Sequence, residues 1–235
     1  MTFKIVGHRG AMAVEPENTM RSFARAAELG VDAIELDVHL SRDGRLVIMH
    51  DETVDRTTDR AGAIADLDWA QLRTLDAGLG ERVPELAEVW ASFPEVGLQI
   101  EVKSAAATSA VLELVRAGPP RDRPTTITSF SADVVRQAVA EPGPWRVGLV
   151  CGKDDQDKLE ANLATGMDQL MINWAISDLP SAQGYKAAGG VASVWISREP
   201  ADVWRAMEQG WAETTVDDPE MALAARAAYR PGLTG

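Results

Sequence analysis

Two short acidic patterns in this 235-residue chain could hold a metal ion. In "AIELDV" Glu35 and Asp37 stand two residues apart, and in "LQIEVK" Glu101 and Lys103 do the same. Side chains along a β-strand alternate between faces, so each pair shares one face while Ile34, Leu36 and Val38, or Ile100 and Val102, take the other. The pairs thus sit on the side that apolar packing does not claim. Carboxylates brought together repel one another and need a cation. An all-oxygen set suits one hard ion, Mg2+ or Ca2+, and the lack of a His or Cys ligand cluster argues against structural zinc. Taken alone, Glu35 and Asp37 would equally fit an ordinary polar stripe. Other residues able to do chemistry fall near the ends of apolar runs: His8 and Arg9 in "IVGHRG", His50 and Asp51 in "IMHDE", Ser129 in "TTITSF" and Trp195 in "VASVWI".

The elements that must position these residues can be read from periodicity. Strands are expected at "FKIVG", "DAIELDV", "LQIEVK", "TTITSF", "RVGLVC", "DQLMIN", "VASVWI" and "AETTV". The last four begin near Arg146, Asp168, Val191 and Ala212, at intervals of 22, 23 and 21 residues, close to one strand plus one crossover helix. Helical spacing over Met20, Phe23, Ala24 and Ala27 marks a helix that Asn18 or Thr19 caps and Gly30 ends. Similar segments run over 105–117, 132–140, 154–164, 201–209 and 219–228. Eight strand-helix units predict a closed (β/α)8 TIM barrel, with a doubly wound open sheet as runner-up, weakened because the first turn lacks the glycine-rich dinucleotide fingerprint. About 45 residues separate "ELDV" from "PELAEVW", too many for a turn. Asp43-Gly44 reads as a tight hairpin there, followed by a small excursion from the barrel mouth. The closing "RPGLTG" reads as a frayed tail.

In such a barrel the working face is built by the C-terminal strand ends and the loops after them, so segments scattered along the chain converge on one opening. His39 continues the parity of Glu35 and Asp37 but is expected in the following loop, toward solvent and in a structural part. Glu17, in "PENT", could orient Arg9.

Composition sets the frame. With 46% apolar residues the chain can bury one substantial core, so residues 1–235 are expected to form a single domain. A formal charge of −13 disfavours nucleic acid and anionic membrane surfaces, which require a cationic face. An anionic substrate would then depend on local cations. The single cysteine, Cys151, excludes an intramolecular disulfide and suits a reducing compartment. The N-terminal residues contain no apolar run of secretory length, and no window reaches a membrane span, so a cytoplasmic protein without stable membrane insertion is expected. Alanine-rich helices, with Trp204 and Trp211 taken as exposed, could form a homo-oligomer interface, though core packing explains them as easily.

In combination, "HRG", "PENT", "GVDAIELDVHLSRDGRLVIMHDETVDRTT", "VPELAEV", "IEVK", "TSF" and "VWI" resemble the glycerophosphodiester phosphodiesterases, densely from His8 to Thr58 and more thinly beyond Val83. The resemblance implies a (β/α)8 barrel with a small insertion after strand two, here about residues 52–82. It also implies a divalent metal at the mouth and hydrolysis of a small glycerophosphodiester to sn-glycerol 3-phosphate and an alcohol. Carried over by position, Glu35, Asp37 and Glu101 match the metal ligands, His8 and His50 the acid/base pair, and Arg9 and Lys103 the phosphate contacts. Ser129 and Trp195 fall on weaker motifs near the substrate, with Glu17 and Asp51 in support. A phosphodiester repels nucleophiles, so this chemistry needs positive charge at its nonbridging oxygens and proton transfer at the entering and leaving oxygens, tasks these residue types can perform.

Two segments depart from the family pattern: "WISREP" puts Ser197 and Glu199 where Thr and Asn are usual, and "TTVDDP" varies the usual ending. Competing readings are a phospholipase-D-like lyase forming cyclic phosphates from lysolipids and a non-catalytic barrel that binds a phosphorylated ligand. Which imidazole is acid, whether water or a glycerol hydroxyl attacks, and which alcohol leaves are open at this level.

Overall fold

The computed structural model describes residues 2–230, and the expected frayed tail lies, past Arg230, outside them. Nine strands form one sheet: β1 (Lys4–Gly7), β2 (Ala33–Leu40), β3 (Leu46–Ile48), β4 (Gly97–Val102), β5 (Thr125–Ser129), β6 (Trp145–Cys151), β7 (Gln169–Asn173), β8 (Val191–Ser197) and β9 (Glu213–Val216). All but β3 run parallel, and β1 pairs with both β2 and β9, which closes the barrel. Strand β3 folds back antiparallel on β2 through Asp43-Gly44, where Gly44 takes φ 81°. This is the hairpin that the Asp-Gly pair predicts.

Helices α1 (Met20–Leu29), α3 (Leu86–Ser92), α4 (Thr108–Ala117), α5 (Ala132–Ala140), α6 (Gln156–Asn162), α7 (Pro180–Ala187), α8 (Pro200–Glu208) and α9 (Pro219–Ala228) alternate with the barrel strands, and α2 (Trp69–Leu72) lies in the excursion. For α1 the residue that caps is Thr19, whose side chain accepts the Ser22 amide, while Gly30 ends the helix in the left-handed region. Helix α7 escapes the periodicity reading because Gly184 interrupts it and only Ala182 is buried among its residues.

The main core lies between sheet and helices, where Ile34, Leu36 and Val38 are fully buried on the outward face of β2, as strand parity requires. A separate apolar cluster of Val47, Met49, Val54, Ile64, Leu72, Leu75, Ala77 and Val83 supports the segment between β3 and α3. Trp211 is 3% exposed and Trp204 packs against the core with its indole donating to the Ala225 carbonyl, so neither offers the exposed face expected of it. Among the described residues no helix is long and apolar enough to cross a membrane.

Many side chains within the barrel are polar rather than the usual branched aliphatics. Glu213, fully buried, accepts the side-chain amides of Gln99 and Gln169 from strands on other sides of the lumen. These residues lie at the depth of a cavity of about 790 Å³ at the N-terminal strand ends, where Lys4, Arg123 and Arg146 alternate with Asp32 and Asp168. That end of a barrel serves stability.

Burial pushes the Glu213 carboxyl up, and the two amide hydrogen bonds and the charges of Lys4 and Arg146 oppose this without overcoming it. A folded-state pKa above the unfolded value contributes stability that is fully present below about pH 4.3 and lost as pH rises through the folded-state value. Glu213→Gln keeps an acceptor for both amides and cannot ionise. Its melting temperature should therefore fall less than the parent's between pH 4 and pH 8, whereas Glu213→Ala should cost about 1–3 kcal/mol at both by orphaning the amides. Calorimetry at the two pH values checks both.

Candidate active site

The opposite end of the strands gathers the residues with chemistry. Asp37 on β2 lies beside Glu101 on β4 in register, and Glu35 lies two residues earlier on the same face. One carboxylate oxygen from each falls within 4.8 Å of the others, and the three side chains are all buried. Burial and repulsion from its neighbours push the Glu35 carboxyl well above the usual range. Burial and Asp37 push Glu101 up as well, against the pull of Lys103. Asp37 goes the other way: burial raises it, but Lys103 and Arg9 outweigh burial and keep it ionised.

Three side chains converge on Asp37, two cations and one amide donor. Lys103 Nζ lies 2.9 Å from its Oδ1 and 2.6 Å from Glu101 Oε1, Arg9 Nε lies 3.3 Å from its Oδ2, and Asn18 Nδ2 donates to Oδ2 at 2.8 Å. The backbone N–H of Arg9 donates to Glu35 Oε2 at 3.0 Å. A tight turn after β1 makes this contact: Arg9 itself takes φ 50°, and Gly10, at φ 89°, leaves no room for a Cβ against Ser22. The Ser22 hydroxyl accepts the Ala11 amide and donates to the Arg9 carbonyl, so α1 holds the turn in place.

Each imidazole has a carboxylate behind it. His8 Nδ1 is 2.6 Å from Asp217 Oδ1, and His50 Nδ1 is 2.6 Å from Asp51 Oδ1. An ionised carboxylate only accepts, so Nδ1 carries the hydrogen in both rings and Nε2 is left for the cavity. Burial pushes Asp217 up, but the hydrogen bond and charge of His8 hold it below the usual range. For Asp51 the hydrogen bonds from Arg56 lead in holding the carboxyl far below that range, against burial and with help from His50. Burial lowers the His50 ring, and Lys103 and Arg9 add to that, against Asp37 and Asp51. His50 is thus neutral at neutral pH.

These groups border a cavity of about 210 Å³. His8, Arg9, Glu35, His50 and Glu101 form one wall; Phe130, Val150, Met171, Trp195 and Ile196 form the other, with Gln99, Thr128 and Thr215 between. Trp195 and Ile196 both reach it because the β8–β9 ladder slips between Trp195 and Ser197 and breaks strand alternation.

The structure brings His8, Arg9, Glu35, Asp37, His50 and Glu101 together. Lys103 lies among the acids rather than on the cavity wall. Ser129 is turned away: its hydroxyl donates to the Val102 carbonyl and accepts the Ser131 amide, and Thr128 and Phe130 border the cavity instead. Glu17 Oε1 accepts Arg9 Nη1 at 2.8 Å. His39 is on β2, not in a loop, and is 6% exposed; its Nε2 is 3.1 Å from the His50 carbonyl oxygen, which fixes the backbone beside that ring.

Asn18, Asp217, Arg56 and the apolar wall other than Trp195 were missed from sequence. Asn18 is hidden by its equally good reading as a helix cap, and Asp217 lies 209 residues from the ring it supports. The departure "TTVDDP" was its only trace.

The profile of the "Glycerophosphoryl diester phosphodiesterase family" matches residues 8–221. A glycerophosphodiester phosphodiesterase of Caldanaerobacter subterraneus subsp. tengcongensis is 33% identical over 93% of this chain and 96% of its own. An Oleispira antarctica phosphodiesterase, solved in complex with the product sn-glycerol-3-phosphate, superposes with a TM-score of 0.87 at 27% identity, covering 96% of this chain and 97% of its own. The glycerophosphodiester phosphodiesterase of Thermotoga maritima, at 24% identity, shares the fold with a TM-score of 0.81 over 95% of this chain and 98% of its own. With the profile spanning most of its length and a relative of one-third identity aligned nearly end to end, the chain belongs to the glycerophosphoryl diester phosphodiesterase family and is an enzyme, a phosphoric diester hydrolase.

Proposed function

We propose that the protein hydrolyses glycerophosphodiesters to sn-glycerol 3-phosphate and an alcohol, with one Mg2+ or Ca2+ ion held by Glu35, Asp37 and Glu101. The observation that carries this reading is the convergence of two carboxylate-backed imidazoles and a buried three-carboxylate cluster on one cavity. The product found with the Oleispira relative supports it.

The residues fit such an ion. Three buried carboxylates within ligand distance of one another form an all-oxygen set for a hard cation, and the raised Glu35 and Glu101 mark a site short of positive charge. When bound, a divalent cation neutralises charge on the phosphoryl oxygens. Arg9 borders the cavity and presents a guanidinium to the same oxygens, held in aim by Glu17 and Asp37. His50, neutral and with Nε2 unprotonated, takes the proton of the attacking hydroxyl. His8, fixed through Nδ1 by an ionised Asp217, gives a proton from Nε2 when the ring is doubly protonated, to the alcohol oxygen as its bond to phosphorus breaks and the attacking oxygen bonds in its place. The apolar wall excludes water from the side away from the acids.

The direct test is release of sn-glycerol 3-phosphate from choline, ethanolamine, glycerol and inositol diesters, with and without chelator, with products followed by phosphorus NMR. Chelation should abolish turnover, and His8→Ala and His50→Ala should each lower kcat by about 10²–10⁴-fold. Turnover indifferent to chelator and to both substitutions would end this reading, and a persistent cyclic phosphate would make the enzyme a lyase. Asp217→Asn, which can present a donor to His8 and favour the wrong tautomer, should lower kcat by at least about tenfold with little change in KM.

Metal binding itself should be coupled to protons. Carboxyls raised by burial and repulsion bind protons when the ion is absent, and they must lose them to become ligands. Affinity for Mg2+ or Ca2+ should therefore fall as pH drops through the raised Glu35 and Glu101 values, and binding should release protons. Titration calorimetry in two buffers of different ionisation enthalpy measures that release, and Glu35→Gln should diminish it.

A further inference from the structure

The segment between β3 and α3 sends one guanidinium back to the site. Arg56 Nε and Nη2 lie 2.6 and 3.1 Å from the two carboxylate oxygens of Asp51, and Nη1 and Nη2 lie 2.8 and 2.9 Å from those of Glu17. Each carboxylate also holds a second group. Glu17 Oε1 accepts Arg9 Nη1 at 2.8 Å, and Asp51 Oδ1 accepts His50 Nδ1 at 2.6 Å. Arg9, Glu17, Arg56, Asp51 and His50 thus form one continuous chain of alternating partners, running from the guanidinium after β1 to the imidazole after β3.

We propose that Arg56 is a positioning residue that fixes the separation of Arg9 and His50, so that the group holding the phosphate and the group moving the proton are set by one element. This rests on the roles given to Arg9 and His50 above. A planar guanidinium with fixed donors can grip two carboxylates at once, and doing so restricts the rotation of both. A lysine in the same place is a point charge that satisfies one carboxylate and leaves the other to turn.

A purely structural role does not account for the geometry. The side chain of Arg56 is 46% exposed and takes no part in the apolar cluster of its own segment, which is built on Val54, Ile64, Leu72 and Leu75. Backbone bonds from Val54 to Gly62, Ile64 to Glu52 and Thr58 to Val54 hold that segment without it. Its partners are more enclosed, Glu17 at 14% and Asp51 at 31%, so the guanidinium closes over carboxylates that face inward to catalytic groups. The far-lowered carboxyl of Asp51, led by the hydrogen bonds of Arg56, fits an acceptor kept charged for His50.

The test compares Arg56→Ala, Arg56→Lys and, as a control on the same segment, Arg60→Ala, at saturating divalent cation. Arg56→Ala should lower kcat/KM by about 10²-fold, the scale of a misplacement of about 1 Å, with the loss divided between a higher KM and a lower kcat. Its melting temperature should stay within about 2 °C of the parent's, as for an exposed ion pair. Arg56→Lys should recover less than about a tenth of the loss, and methylguanidinium added to Arg56→Ala should recover more. The KM effect should vanish in a Glu17→Gln background and the kcat effect in an Asp51→Asn background, because each partner carries one half.

Full activity in Arg56→Lys, strict additivity with both partner substitutions, or a lowered melting temperature with unchanged kcat and KM would each overturn the assignment. Two further readouts do not need turnover. The downfield Nδ1–H proton resonance of His50 should shift or broaden in Arg56→Ala, and sn-glycerol 3-phosphate should bind more weakly to it. A parent enzyme that releases no sn-glycerol 3-phosphate would refute the hydrolase reading, and an unchanged His50 resonance would refute the role of Arg56 on its own.

Discussion

Three carboxylates crowded into one buried spot are the constraint around which the rest of this molecule is arranged. Moving a single ionised carboxylate out of water costs several kcal/mol, and neighbours of like sign add to that. Strand parity and the register that sets Asp37 beside Glu101 make the crowding unavoidable once β2 and β4 pair. The fold answers it with cations and donors from three places: Lys103 two residues beyond Glu101, Arg9 from the turn after β1, and Asn18 from the start of α1. They settle Asp37 and leave Glu35 and Glu101 raised, so the compensation is incomplete at the two residues that also border the cavity. A site left short of positive charge at its open side, and supplied with it at its closed side, is suited to take up a cation from solution.

Local cations thus stand inside a chain that is acidic as a whole. The chain carries a formal charge of −13, yet Arg9, Arg56 and Lys103 are gathered around one site, each paired with its carboxylates. At physiological ionic strength charges farther apart than about 8 Å are largely screened, so an anion at the mouth responds to these groups more than to the acidic exterior. That pairing keeps the cations in place without making the rim strongly positive.

Much of this was legible in the sequence wherever function and local geometry use the same signal. Glu35, Asp37 and Glu101 could be placed because strand alternation is a local rule, and the eight-stranded barrel because its units repeat. What stayed hidden depends on contacts with no local trace. Asp217 reaches His8 only because β9 closes beside β1, and Arg56 reaches Glu17 only because an irregular segment folds back. Ser129 was placed by its position at a strand end and by a weak motif, neither of which says where a hydroxyl turns: it found backbone partners, and its neighbours Thr128 and Phe130 took the cavity. His39 shows the opposite error, since β2 runs on to Leu40 because β3 pairs with its end, and the ring is buried by a strand that sequence alone cut short at Val38.

The barrel is also divided around its circumference. Strands β1, β2 and β4, with the segments after β1, β3 and β9, supply the acids, imidazoles and guanidinium, whereas β5 through β8 and the residue after β5 supply Phe130, Val150, Met171, Trp195 and Ile196. An ionic half and an apolar half face each other across about 210 Å³, so a ligand with a charged centre and a carbon-rich end fits in one sense only. The apolar wall also lowers the local dielectric opposite the acids, which strengthens every charge interaction on the ionic side. Beneath both halves Gln99 borders both the working cavity and the cavity at the N-terminal strand ends, and its side-chain amide donates to Glu213. A polar lumen is costly in a barrel, and its justification here is positional: an aliphatic plug at Gln99 and Thr128 would bring apolar surface against Glu101 and oppose the charge that the three acids need to keep.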